Sequence, residues 1–312
     1  MIRGYRPFFL DLLTSFITSA KFTRHEFEEY VQPVVASETA AASADPATQA
    51  IEAAHALAFR SGLGASIFAS PHSAVTVEDI KAFAASAFSQ NNMAVLGTGI
   101  ETAKLSKLVE KSFTTSGSEP TSSPSRYFGG ETRVEGHGGP QTVFIGYGVA
   151  GPSDPALAAL AAHISPEPSL KWSKGRSLFA ELPPNITVRS VFLPYSDATL
   201  IGLLVQSSST EGIKQAGKIA VKALKESGGA KAEDLKKAIV KAKFAAASAT
   251  DSRDSLINFL GCKVCTNMPD LVCPIGNRIT GLGWLRCLSR LSALFARQGQ
   301  RSCSLNGMCN HI

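Results

Sequence analysis

The apolar positions fall into two arrays of different kind. Phe8, Leu12, Leu13 and Phe16 recur at helical intervals and predict a helix over 7–19. Thr23-Arg24-His25-Glu26 has the residue types of a capping box, so a second helix opens there. Asp45-Pro46 supplies an N-cap and an N1 proline to an alanine-rich helix over 47–59, which Gly62 and Gly64 should stop. Thr76 and Asp79 open another helix, running to about Phe88; a short strand over 93–96 and a helix over 101–111 follow. Four or five helices with one strand cannot form a balanced layer, so this array lacks a sheet to cover.

Residues 113–126 hold almost no apolar side chain and two prolines, which reads as an interdomain linker. Beyond it strands are expected over 131–135 and 142–148. Asp154-Pro155 caps a helix to His163, and a short helix is expected near 177–179. Strands over 186–192 and 200–207 form a hairpin around Pro194-Tyr195-Ser196-Asp197, residues suited to a turn. Helices over 210–227 and 232–250 follow, separated by Gly228-Gly229. This second array is α+β, with helices on one face of a mixed sheet.

The arrays match each other at an offset of about 208 residues. The segment Thr23 to Val31 lies against Lys231 to Ile239, and the helices before them correspond as well. Both copies then run through alanine-rich helix to a polar break with an aspartate, Asp45 in one and Asp251 or Asp254 in the other. Chance similarity among alanine-rich helices is the alternative; the shared order of elements favours duplication. A sheet segment of about 80 residues precedes the second copy's helices, whereas six residues precede the first's. The expectation is therefore a first domain over 1–112 truncated at its N-terminal side, a linker over 113–126, and an incomplete second domain over 127–260. Such a chain should expose apolar helix faces and be unstable alone.

Charge sharpens this division. The 312 residues carry a formal net charge of +6 and a pI near 9.0. Yet 25 basic residues face 24 acidic ones up to residue 260, against 6 and 1 beyond it. Only the tail is basic, so nucleic-acid binding loses its support. All six cysteines (Cys262, Cys265, Cys273, Cys287, Cys303 and Cys309) also lie in residues 261–312. Their spacing lacks the two close couples of a zinc knuckle. That tail reads as a variant or artefactual reading frame, as a disordered genuine tail, or as a metal site. No apolar run reaches the length needed to span a bilayer, and no secretory signal or transit peptide opens the chain.

Several segments together resemble a known family. Pro7 to Leu13, Lys21 to Phe27 and Ala54 to Gly64 are similar to the first domain of the mitochondrial core proteins and processing-peptidase subunits. Tyr127-Phe128-Gly129-Gly130-Glu131 with Arg133 looks like the start of their second domain. Lys171 to Leu178, and Tyr195-Ser196-Asp197 leading into 200–205, are similar to its middle. The resemblance covers roughly residues 1–260 and is strongest to the core-protein branch of respiratory complex III, core protein 2 of fungal type. It implies two pitrilysin/insulinase-type α/β rolls. It further implies a non-catalytic scaffold, peripheral on the matrix side of the mitochondrial inner membrane, partnered by core protein 1 and other complex III subunits.

Active members of this superfamily hold zinc with His-x-x-Glu-His, two histidines one helical turn apart with a glutamate as general base. The sequence has no such motif. Its histidines, His25, His55, His72, His137, His163 and His311, are nowhere paired at ligand spacing. His25-Glu26 begins the reverse motif, but position 29 is Glu, and the capping box accounts for Glu26. His55, on an apolar helix, reads as a packed or capping histidine. Gly136-His137-Gly138-Gly139-Pro140 joins two expected strands and opens no helix, so it is a hairpin loop rather than a phosphate cradle. Lys214, Lys218, Lys222 and Lys225 make a charged stripe that suits a solvated face, or an acidic lipid or partner. No catalytic residue, cofactor-binding residue or metal ligand is assigned, and no cofactor is expected. The alternative is a zinc metallopeptidase or processing-peptidase subunit of the same fold.

Overall fold

The computed structural model describes residues 6–70, 73–89, 92–112, 123–135, 139–167, 179, 182–183, 185–229, 231–248 and 250–265. In the first half, α1 is Arg6–Thr18, α2 Arg24–Glu26, α3 Gln32–Ala44, α4 Pro46–Phe59, α5 Val77–Ala87 and α6 Thr102–Ser112. A π turn, Phe27–Val31, joins α2 to α3. The helix starts follow the local chemistry. The Thr23 hydroxyl accepts from Glu26 N while Thr23 N donates to the Glu26 carboxylate, which completes the expected capping box. Asp45 accepts from Ala47 N and Thr48 N at 3.2 and 3.1 Å, and Thr76 and Asp79 form a second box.

Where α4 ends, the structure differs from expectation. The stop comes at Arg60, which takes φ 59° itself, ahead of the glycines. Gly62–Gly64 instead forms a 3-10 turn, in which a side chain at Gly64 would press on the backbone of His55 and Phe59 at 3.1 Å.

The second half contains β1 (Gln141–Ala150), α7 (Pro155–Ile164), β2 (Ile186–Pro194), β3 (Ala198–Ser207), α8 (Thr210–Glu226), α9 (Ala232–Ser248) and α10 (Arg253–Cys265). The sheet has the order β1-β3-β2 and is antiparallel throughout the described residues, where a mixed sheet is expected from the pattern. Two expected strands do not form. Residues 93–96 and 131–135 lack strand pairing, because a strand is a ladder and no described strand lies alongside either segment. The short helix expected near 177–179 falls largely outside the described residues.

β3 is buried along nearly its whole length. That follows from its near-continuous apolar run, since a strand covered on both faces needs no alternation. One face, with Ile201, Leu203 and Val205, packs against α7 and α8. On the other, Ala198 and Leu200 meet Ala58 and Phe59 of α4. Helices therefore cover the sheet from both sides, and the second cover comes from the first half of the chain. Gly146 and Gly202 sit opposite each other in β1 and β3, where a Cβ on either would lie 2.7 Å from the Phe144 ring. The glycine pair makes room for that ring.

The helix order repeats. α2 and α9 begin 208 residues apart, at Arg24 and Ala232; α4 and α10 begin 207 apart, at Pro46 and Arg253. α10 therefore stands where the repeat places it, and it continues across residue 260 into the cysteine-bearing segment. Residues 266–312, including Cys273, Cys287, Cys303 and Cys309, lie outside the described residues.

Candidate functional site

Three of the segments singled out in the sequence converge at one place, the junction of α4 with the sheet. α4 supplies His55, Phe59 and Arg60; the start of the second array supplies Ser125, Tyr127 and Phe128; the β2–β3 turn supplies Tyr195 and Asp197. His55 is held at both ring nitrogens, Nδ1 on the Ile51 carbonyl at 2.8 Å and Nε2 on the Tyr195 hydroxyl at 2.7 Å. The carbonyl can only accept, so Nδ1 carries the proton and a neutral Nε2 accepts from Tyr195. Burial, followed by the nearby Glu52 charge, raises the Tyr195 pKa and keeps its hydroxyl a donor.

The backbone joins the halves as well. Phe128 N donates to the Ala58 carbonyl at 2.9 Å, and Ser125 N donates to the Asp197 carboxylate at 2.7 Å. The Arg60 guanidinium lies 4.4 Å from the centre of the Phe128 ring. Phe59, almost fully buried, reaches Gly148, where a Cβ would meet its ring at 3.1 Å and Tyr127 at 2.6 Å. This arrangement has no nucleophile with an adjacent base and no convergent carboxylates. It clamps two halves of a chain together.

The remaining candidates are dispersed. His25 Nδ1 lies 3.0 Å from Glu29 on an exposed helix face, and Glu26 is committed to its cap. His163 is half-buried at the end of α7, where burial chiefly lowers its pKa. Lys214 and Lys222 on α8 pair with Glu211 and Glu226 at 3.7 and 3.8 Å, leaving the stripe a charged surface. Gly139 lies beside Pro46, with φ 83°; the rest of its glycine-rich loop, with His137, lies outside the described residues, as do His72 and His311. Cys262 and Cys265 fall in α10. Among the described residues no group of three His, Cys, Asp or Glu converges on one point. A shallow, open cleft between α1 and α6 is lined by Asp11, Thr14, Ser15, Thr18 and Lys111, a set without a general base or a second carboxylate.

Sequence reasoning missed the His55–Tyr195 link and the use of α4 as a sheet cover. The two residues are 140 positions apart, and no pattern along the chain pairs them.

Comparisons with known proteins agree with this geometry. The family model described as Peptidase M16 inactive domain matches residues 74–169. The chain is 36% identical over 271 residues to the mitochondrial cytochrome b-c1 complex subunit 2 of Cryptococcus neoformans, covering 83% of this chain and 62% of that protein. It is 34% identical to the Yarrowia lipolytica counterpart, covering 84% of this chain and 64% of that protein. It thus spans about three fifths of these relatives' length. Among solved structures, a chain of Complex III2 from Candida albicans, Inz-5 bound, superposes with a TM-score of 0.71 at 15% identity, covering 93% of this chain and 72% of that one. A protease from Helicobacter pylori gives 0.72 at 16%, covering 92% and 74%. At such identities these two likenesses establish the fold alone. With its helices and antiparallel sheet in this arrangement, the chain belongs to the peptidase M16 superfamily, in the group of the fungal cytochrome b-c1 complex subunit 2 proteins.

Proposed function

We propose that the protein is a non-catalytic scaffold subunit of mitochondrial respiratory complex III, peripheral on the matrix side of the inner membrane, packed against a core protein 1 partner and other subunits. The observation that carries this reading is its 36% identity to cytochrome b-c1 complex subunit 2 over 83% of the chain. The inactive description of the matched family domain supports a structural role. So does a best-ordered polar cluster, at the α4 junction, whose groups are spent on holding two halves together. No described helix is long and apolar enough to cross a membrane, in keeping with peripheral attachment. On this reading the chain is built from α/β-roll units over 1–112 and 127–260, works without a cofactor, and carries no catalytic or metal-binding residue.

The test is complementation. The full chain is expressed with a mitochondrial leader in a fungus deleted for subunit 2, and its position is read on native gels probed for complex III. Co-migration with the complex and restored growth on a non-fermentable carbon source are the expected results. Accumulation as a free matrix protein, or zinc-dependent cleavage of a presequence peptide, would overturn the proposal.

A further inference from the structure

The repeat places buried positions of one copy against exposed positions of the other. On α8, Ala216 and Ala220 are 0% exposed and Leu224 is 7%, all in the core formed with Tyr147, Ile201, Leu203 and Val205. Moving back 208 residues gives Phe8, Leu12 and Phe16 of α1, which are 61%, 41% and 67% exposed. The same shift takes Leu235, Ala238, Ile239 and Ala242 of α9, which join the same core as α7, to Phe27, Tyr30, Val31 and Val34. Tyr30 and Val34 are 64% and 56% exposed. All seven positions are apolar in both copies, so the pattern was kept while the cover differs.

We propose that the joined faces of α1 and of the α2–α3 segment form a docking seat for one kind of occupant, an antiparallel β-sheet carrying a small-residue helix. It would stand to them as β1, β3 and α7 stand to α8 and α9. The counterpart core defines that chemistry: α8 rests on β1 and β3, and α9 on α7. An apolar stripe of this width left in water marks an interaction surface. Packing density adds a constraint on the occupant. Phe8 and Leu12 replace Ala216 and Ala220, so the sheet face they receive must offer smaller side chains than Tyr147, Ile201 and Leu203 do, or the interface would be overpacked. The proposal rests on the internal repeat and is independent of where the protein works.

The probe is the part of the Cryptococcus neoformans subunit 2 lying outside the 271 residues matched here, co-produced with the full chain. A one-to-one complex on size exclusion is expected, with amide exchange in α1 and α3 slowed by about ten-fold or more. The double substitution Phe8→Asp and Phe16→Asp abolishes the complex while leaving the helical circular dichroism unchanged, because neither ring is part of the chain's own core. Val240→Asp, on an exposed position of α9, leaves it intact. Three results would overturn the proposal. These are no complex, a complex indifferent to Phe8 and Phe16, or self-association of the chain through those residues that the probe fails to displace, which would assign the face to a second copy.

Discussion

α1 and α8 hold the same place in a repeated order of helices, yet one is surface and the other core. Both carry an apolar stripe at helical spacing, and both form. What separates them is a sheet. α8 rests on β1 and β3 and buries its alanines; α1 meets α6 and keeps its phenylalanines in water. Local pattern decides that a segment is a helix and which side is apolar. Whether that side contributes stability depends on a partner surface that the pattern does not contain.

The contrast can be broken by placing the same charge in both helices. Ala220→Asp buries an unpaired carboxylate at a fully enclosed position and should cost about 5 kcal/mol, seen as loss of the urea transition of the second half. Leu12→Asp at the equivalent position of α1 should change stability by less than about 0.5 kcal/mol and improve solubility. Equal effects would mean that α1 is as enclosed as its counterpart. Next in size, Phe59→Ala empties the junction between α4 and the sheet and should lower stability by about 3 to 4 kcal/mol, measured by the same unfolding curve.

Smaller effects sharpen the contrast. Lys241 of α9 donates to the Ser165 and Glu167 carbonyls just beyond α7, at 3.3 and 2.5 Å, a contact that α3 has no helix to make. Lys241→Met should cost about 1 to 2 kcal/mol. Tyr195→Phe leaves His55 Nε2 without its donor and should cost about 1 kcal/mol. The pH response belongs to the second half as well. Burial holds the folded-state pKa of His163 below its ordinary value of 6.5, so the native state prefers the neutral ring. Stability from this group is therefore complete above the ordinary value and is lost as pH falls through the lowered one. His163→Gln should flatten that part of a stability-versus-pH curve; an unchanged slope would remove His163 as its source.

Much of this was legible in the chain. The Thr23 and Thr76 boxes and the Asp45 cap are local, because a side chain and the amide two or three residues on meet whatever else the protein does. The β2–β3 hairpin is legible for the same reason. The strands expected over 93–96 and 131–135 were not decided locally, since pairing needs a second strand that the segment does not encode. The stop of α4 shows a subtler limit. Glycines suggested a left-handed residue nearby, and the chain places that conformation on Arg60, where its guanidinium also reaches the Phe128 ring.

The candidate site divides in the same way. Sequence alone excluded the zinc motif within the chain shown and singled out Ala54 to Gly64, Tyr127 to Glu131 and Tyr195 to Asp197 as the segments that carry the family likeness. It could not say that these segments touch. Only the fold brings His55 to Tyr195 and Ser125 to Asp197, because such bonds depend on where α4 crosses the sheet. Spacing and capping are set by covalent neighbours over one or two turns. Burial is set by which surfaces meet, and so the repeat fixed the apolar faces of α1 and α8 alike while tertiary structure enclosed only one of them.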